Sequence, residues 1–306
     1  MKFLNYTQHH VTQADKDAVM AVLDSDRLTQ GPTVELVEAK LCEMTGAKYC
    51  VVVNSGTAAL HLMYEACVPP HNLRIPAITF RATRSAALQA GYEPVVIDVD
   101  HITGRTQAVD VYVSLGGCPP EGPTPRLVDG CHGPLKHMGG QATAFSFHPA
   151  KHCAAGEGGA VVTDVESIAD DMRGARSHVG YPYGFNYRMP EMSAALLLSQ
   201  LDRYQQSVTI RRYIAARYDE AFAGKVETVP HNEGSARHLY QLLVPLRGFV
   251  QRQLTDKGVG TQVHYQPLAE LPNARWHADH TLSIPMFPTM TTEQVDHVIK
   301  SVLEVV

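Results

Sequence analysis

Ala144-Phe-Ser-Phe-His-Pro-Ala-Lys-His-Cys-Ala-Ala-Gly-Glu-Gly-Gly159 is the stretch around which the chain is organised. A β-prone run, Ala144 to Phe147, feeds a loop with one lysine, Lys151. Gly156, Gly158 and Gly159 bracket Glu157, and Ala160 to Thr163 reads as a second strand. A lysine on a loop between two short strands is placed to point into a pocket, where its amine can condense with a carbonyl. A solvated loop lysine would look the same, because lysine is mostly exposed. What the rest of the chain places around Lys151 separates the two readings.

Upstream, Tyr49–Val53 is a β-branched run that reads as a buried strand. Asn54-Ser-Gly-Thr57 follows, and a helix from Ala58 to about Ala66. A strand, a small-residue turn and a helix N-terminus form an anion site, since free N–H groups and the helix dipole both favour phosphate. A plain N-cap by Ser55 or Thr57 is the alternative. Ile75-Pro-Ala-Ile-Thr-Phe80 leads into a helix through Leu88, and Pro94–Val99 is the next strand. Val111–Ser114 and Arg126–Asp129 read as two more, with Asp129 at the strand end where open α/β sheets bind ligands.

Strands alternating with helices argue for a mainly parallel sheet. Thr12, with Asp15 three residues on, caps a first helix, and Gly46 stops a second that starts near Val34. Between them, Arg27-Leu-Thr-Gln-Gly-Pro32 is a turn. Downstream, a helix covers about Glu166–Arg173. A loop rich in Gly, Tyr and Pro over 177–190 ends in Asn186-Tyr-Arg-Met-Pro190, and Glu191 starts another helix. From about residue 204 the chain turns α+β: a helix at Ile210–Phe222, a strand at Leu239–Leu246, a helix near Phe249–Asp256, and a last helix capped by Thr291 or Thr292. The division expected is a large domain over 1–204, including the N-terminal segment, and a small one over 205–306.

With 306 residues, 44% hydrophobic and 19% charged, the composition is ordinary for a globular protein. A formal net charge of −5 gives no footprint for nucleic acid. No apolar run approaches the ~20 residues that span a bilayer, and no signal-peptide core opens the chain. The six scattered cysteines lack a Cys-x-x-Cys pair and read as reduced thiols of a cytoplasmic protein. His148 and His152 are four apart, but Pro149 interrupts them and the glutamate of a zinc-protease helix is missing, so no metal site is expected.

Four separated stretches thus supply complementary parts: the Gly56-Thr57 turn, the aromatic Phe80, the carboxylate Asp129 and Lys151. Pyridoxal 5'-phosphate needs this set: a helix N-terminus for its phosphate, a lysine for its aldehyde, a carboxylate for its ring nitrogen and an aromatic face to pack on its ring.

The sequence resembles the DegT/DnrJ/EryC1/StrS aminotransferases, the sugar branch of the fold-type-I pyridoxal-phosphate enzymes. The carrying residues are Asn54-Ser-Gly-Thr-Ala-Ala-Leu60, Pro76-Ala-Ile-Thr-Phe80, Val128-Asp-Gly-Cys-His132, Phe145-Ser-Phe-His-Pro-Ala-Lys151, Gly156-Glu-Gly-Gly159 and Asn186-Tyr-Arg-Met189. The resemblance implies an α/β chain of the aspartate-aminotransferase-like fold type I, with a smaller α+β C-terminal domain. It implies that Lys151 holds the cofactor covalently, Asp129 pairs with the pyridine nitrogen, His132 sits beside the phenolic oxygen, and Phe80 stacks on the ring. Gly56, Thr57 and Ser146 would hold the phosphate, and Asn186 would reach the cofactor of a neighbouring subunit, making a homodimer with shared sites.

Tyr6 and Asp26-Arg-Leu-Thr-Gln-Gly-Pro32 resemble the branch that aminates C4 of UDP-linked 4-keto-6-deoxy-N-acetylhexosamines in pseudaminic acid synthesis, with glutamate as the amino donor expected from the family. Tyr6, Arg27, Leu28, Thr29, Arg188, His264 and Tyr265 would then line the nucleotide-sugar site. The chain departs from the family between Asp100 and Val111, where a helix is nearly absent, and in a trimmed loop from Arg173 to Asn186. A sugar dehydratase of the same fold would carry histidine in place of the lysine. A non-catalytic regulatory protein would be expected to lose the lysine or the acid. Lys151 and Asp129 are both present.

Overall fold

The computed structural model describes residues 3–68, 70–177 and 184–306. Residues 178–183 of the expected Gly-, Tyr- and Pro-rich loop lie outside them. In chain order come α1 (Gln13–Leu23), α2 (Pro32–Thr45), β1 (Tyr49–Val53), α3 (Gly56–Cys67), β2 (Arg74–Pro76), α4 (Arg81–Gln89), β3 (Val95–Ile97), β4 (Val111–Val113), β5 (Leu127–Asp129), β6 (Ala142–Ser146), β7 (Gly159–Thr163), α5 (Glu166–Ala175) and α6 (Glu191–Leu201). The C-terminal part adds α7 (Tyr204–Phe222), β8 (Glu227–Thr228), β9 (Tyr240–Leu243), α8 (Arg247–Asp256), α9 (Pro272–His280), β10 (Thr281–Ile284) and α10 (Thr292–Leu303).

The central sheet has the order β1-β7-β6-β5-β4. Strands β4, β5 and β6 are parallel, whereas β7 runs antiparallel to both β6 and β1. β2 and β3 form a second parallel pair, tied to the start of β4 where Asp110 N–H donates to the Arg74 carbonyl at 3.0 Å. The mainly parallel α/β architecture read from the sequence is the one found.

Both faces of the sheet are covered, which is why its strands are apolar without alternation. Along β1, Cys50 and Val52 pack into one core with Val37 and Leu41 of α2 and Leu197 and Leu201 of α6. Val51 and Val53 point the other way, onto Leu62 and Met63 of α3 and Ile168 and Met172 of α5. Layers of helix, sheet and helix result, and the C-terminal ends of β4, β5 and β6 open on one edge.

Helix ends follow local chemistry. Thr12 and Asp15 form a capping box on α1, and Thr291 with Gln294 forms another on α10. Gly46 ends α2 with φ +76°. The turn 27–32 opens α2 with Pro32 in its first turn. Its amides are held from afar: the buried Glu191 carboxylate accepts from the N–H groups of Gly31 at 2.9 Å, Thr33 at 2.9 Å and Val34 at 3.0 Å.

In the C-terminal part, an antiparallel sheet of order β10-β9-β8 packs against α7, α8 and α10. Leu4 sits in that core and bridges Val259, so the N-terminal segment packs with the C-terminal part of the chain. Helix α7 starts at Tyr204, earlier than the charged run suggested, and β9 stops at Leu243. Helix α9 and strand β10 were not legible in the sequence: α9 has no side-chain cap, and β10 is four residues long. Among the described residues no helix is long and apolar enough to cross a membrane, and the six cysteines are free thiols.

Candidate active site

Strands β6 and β7 pair as neighbours, with Ser146 opposite Gly159. The loop between them is closed by Phe147 N–H to the Gly158 carbonyl and Ala155 N–H to the Phe147 carbonyl, both 2.8 Å. A tight turn, Lys151 N–H to the His148 carbonyl at 2.8 Å, presents Lys151. Its side chain lines a cavity of ≈ 380 Å³. Burial pulls the Lys151 amine below the usual lysine range, with Cys131 and Asp129 pulling it back up. Among the described residues it forms no ion pair.

The turn after β1 meets this loop. Ser55 caps α3, its hydroxyl accepting from Ala58 N–H at 3.1 Å. The N–H groups of Gly56 and Thr57 donate to no partner among the described residues and stand at the positive end of the helix. Two glycines allow the approach. A Cβ on Gly56 would lie 2.7 Å from the Cβ of Ser146, and one on Gly159 would collide with the carbonyl oxygen of Ser55. The cradle of free N–H groups beside the Ser146 hydroxyl therefore depends on both residues lacking a side chain.

At the end of β5, Asp129 is buried. One carboxylate oxygen accepts from the Thr83 hydroxyl at 2.7 Å, the other from Cys131 N–H at 3.2 Å. Thr83 is also 2.7 Å from the Thr79 hydroxyl. Because Thr83 spends its proton on the carboxylate, Thr79 donates to Thr83, and the relay fixes the acid. Phe80, at the mouth of the cavity, is 57% exposed; Tyr265 packs against it with ring centroids 5.8 Å apart and leaves much of its apolar face open.

His132 lines the cavity with its Nε2 2.9 Å from the Tyr265 hydroxyl. Its ring centroid lies 4.3 Å from His238. His264 holds the Ser283 hydroxyl through Nδ1 at 2.8 Å and packs 5.5 Å from Tyr6. Burial holds His132 and His238 far below the usual histidine range and pushes His152 and His264 down to about 3. The histidines around Lys151 are therefore neutral.

The cavity thus brings together Tyr6, Gly56, Thr57, Phe80, Asp129, His132, Ser146, Lys151, His264 and Tyr265. It also holds Thr79, Cys131, Glu157, His238 and Gln262, which the sequence did not single out. Thr79 had a signal, its four-residue spacing from Thr83 across the start of α4. His238, one histidine before a short strand, had none.

Five expected residues lie elsewhere in the single chain. Arg27 lines a larger, shallower groove of ≈ 550 Å³ between α1, α2 and α6. The Leu28 carbonyl accepts from Glu191 N–H at 3.1 Å, and the Thr29 side chain is exposed. Glu191 holds the whole turn on α6. Asn186 and Arg188 are exposed, 3.4 Å apart, on a segment stitched to Asn54.

The model of the DegT/DnrJ/EryC1/StrS aminotransferase family matches residues 9–112 and 132–303. The chain belongs to this family. Helicobacter pylori PseC, an aminotransferase of pseudaminic acid biosynthesis, is similar over 100% of this chain and 99% of its own, at 27% identity and TM-score 0.89. The aminotransferase TlmJ of Streptoalloteichus hindustanus is similar over 99% and 98%, at 25% identity and TM-score 0.91. Spr1654 of Streptococcus pneumoniae, in its PLP form, covers 99% of this chain and 98% of its own at 23% identity and TM-score 0.90. The protein is a sugar aminotransferase that uses pyridoxal phosphate, an amino donor and a keto sugar. The residues fit the cofactor: among the described residues the N–H groups of the glycine-lined cradle and the lysine amine have no partner, the carboxylate is fixed and much of the aromatic face is exposed.

Proposed function

We propose that the protein transfers an amino group from glutamate to C4 of a UDP-linked 4-keto-6-deoxy-N-acetylhexosamine, as a homodimer in which two copies share their sites. The observation that carries the reaction is the single cavity holding Lys151, Asp129 and the free N–H groups of Gly56 and Thr57. The sugar assignment is supported by the likeness to PseC along the whole chain and by Tyr6, His264 and Tyr265 in that same cavity.

Gly56, Thr57 and Ser146 would hold the cofactor phosphate, Phe80 would cover the ring and Asp129 would keep its nitrogen protonated. When bound, pyridoxal phosphate supplies a carbonyl that condenses with amines and a ring that takes up the electron pair freed at the donor's Cα. Lys151 would be the group's tether. With its amine free, its lowered basicity would suit it to take the proton from the donor's Cα and to give that same proton back to the reacting system. The neutral histidine wall offers hydrogen bonds to a hydroxylated ring without a competing charge. Asn186 and Arg188, exposed here, would complete the neighbouring copy's site, and so would Arg27, Leu28 and Thr29.

The test is the half-reaction. Glutamate alone should change the visible spectrum and release one 2-oxoglutarate per site, and the keto sugar should restore the spectrum. Failure of glutamate and every other amino donor, with sugar dehydration instead, would replace the reading with another reaction of this fold. Sedimentation should show a dimer; a fully active monomer would remove Asn186 from the site.

A further inference from the structure

Tyr265 and His132 share a contact that bears on how the cofactor is held. Nε2 of His132 is 2.9 Å from the Tyr265 hydroxyl oxygen, and Nδ1 is buried with no partner among the described residues. The ring is 6% exposed. Burial, with Lys151, His264 and His152 nearby, keeps it neutral, so it carries one N–H. Two proton arrangements satisfy the contact. If Tyr265 donates to Nε2, the imidazole proton sits on Nδ1, a buried donor with no acceptor. If Nε2–H donates to the Tyr265 oxygen, Nδ1 is only a bare lone pair, and the phenol proton is free for the cavity. Orphaned buried N–H groups are the rarer defect, so the second arrangement is favoured.

The surroundings of Tyr265 suit a donor. It lines the cavity, and its ring centroid is 5.8 Å from Phe80, the face expected to cover the cofactor ring. Burial first, then the charge of Asp129, pushes its hydroxyl well above the usual tyrosine range, so it stays protonated. The titratable groups facing the pair are Asp129, Cys131, Lys151, His152, His238 and His264, with Tyr6 beyond.

We propose that Tyr265 donates the hydrogen bond to the cofactor's phenolic oxygen, and that His132 is a positioning residue that aims the Tyr265 hydroxyl. The inference rests on the pyridoxal-phosphate site described above. It moves the contact from His132, where the family resemblance puts it, to a residue contributed by the C-terminal part of the chain.

A donor on the phenolic oxygen favours the form in which that oxygen bears full negative charge, after the adjacent nitrogen has lost its proton. Removing the donor therefore raises the pH at which the bound cofactor's visible band titrates. Protein loaded with pyridoxal phosphate, titrated without substrate, reads this directly. Tyr265→Phe should raise the midpoint by about one pH unit, the scale of one charge-assisted hydrogen bond. His132→Asn should raise it less, and the double variant no more than Tyr265→Phe alone. Should Tyr265→Phe fold or bind poorly, 3-fluorotyrosine at 265, a stronger donor, should lower the midpoint. An unmoved midpoint in Tyr265→Phe or with fluorotyrosine, or a larger shift in His132→Asn, would put His132 itself on the oxygen and overturn the proposal. If the parent shows no visible band with pyridoxal phosphate, the site reading fails and the inference goes with it.

Discussion

The loop that carries Lys151 and the turn Arg27–Pro32 are both short glycine-bearing stretches with a recognisable sequence. One lines the cavity and the other does not. The Lys151 loop joins two strands that pair with each other, and the Ser146–Gly159 register sets both of its ends. The turn leaves α1 and enters α2, and what holds it is Glu191, a side chain far along the sequence. A motif closed by its own sheet register places itself. A motif held by a distant side chain is placed by the packing of the whole domain.

The largest effect is expected at the loop. Lys151→Ala should abolish turnover while the aminated cofactor still binds through the Gly56–Thr57 cradle, checked by absorbance and phosphate analysis of the purified variant. Label fixed by borohydride on a lysine other than Lys151 would break the comparison at once.

Asp129→Asn comes next. Thr83 and Cys131 can still hold the side chain, so the fold should survive. The rate should fall by roughly 10²-fold or more, the scale of losing one fixed electrostatic contact to the reacting system. Near-normal turnover would remove Asp129 from the chemistry.

Acid should act on the two regions unequally. His152, on the Lys151 loop, and His264, beside it, are pushed down to about 3 by burial, against about 6.5 in an unfolded chain. As pH falls below about 6.5, the unfolded chain takes up protons that these native rings refuse, so stability falls with pH down to about 3 and is recovered above 6.5. The slope is about 1.4 kcal/mol per pH unit per ring. Among the described residues, no histidine lines the groove beside Arg27. Hydrogen exchange at pH 7 and pH 5 should therefore loosen the cavity wall before residues 27–34; the reverse order would contradict the depressed values.

The smallest effect sharpens the other side of the comparison. Glu191→Ala leaves three N–H groups of the turn and the α2 start without an acceptor, and should cost about 1–3 kcal/mol in urea melts, with the cofactor's visible band unmoved. If that band shifts, the turn acts on a cofactor site, its own or the neighbouring copy's.

Much of the fold was local enough to read. The capping boxes at Thr12 and Thr291, the stop at Gly46 and the apolar run of β1 act over a few residues, and the alternation of strands with helices gave the mainly parallel sheet. Lys151, Asp129 and the Gly56-Thr57 turn were legible because each sits at a strand end, and strand ends in such a sheet share one edge. What the tertiary structure alone decided are meetings between residues far apart in sequence: Tyr265 with His132, His238 against His132 and His152, Leu4 in the C-terminal core, and Glu191 holding the turn away from the cavity. Periodicity and capping record what a residue does to its near neighbours. A hydrogen bond between positions more than a hundred residues apart depends on how the layers pack, and no local pattern carries that information.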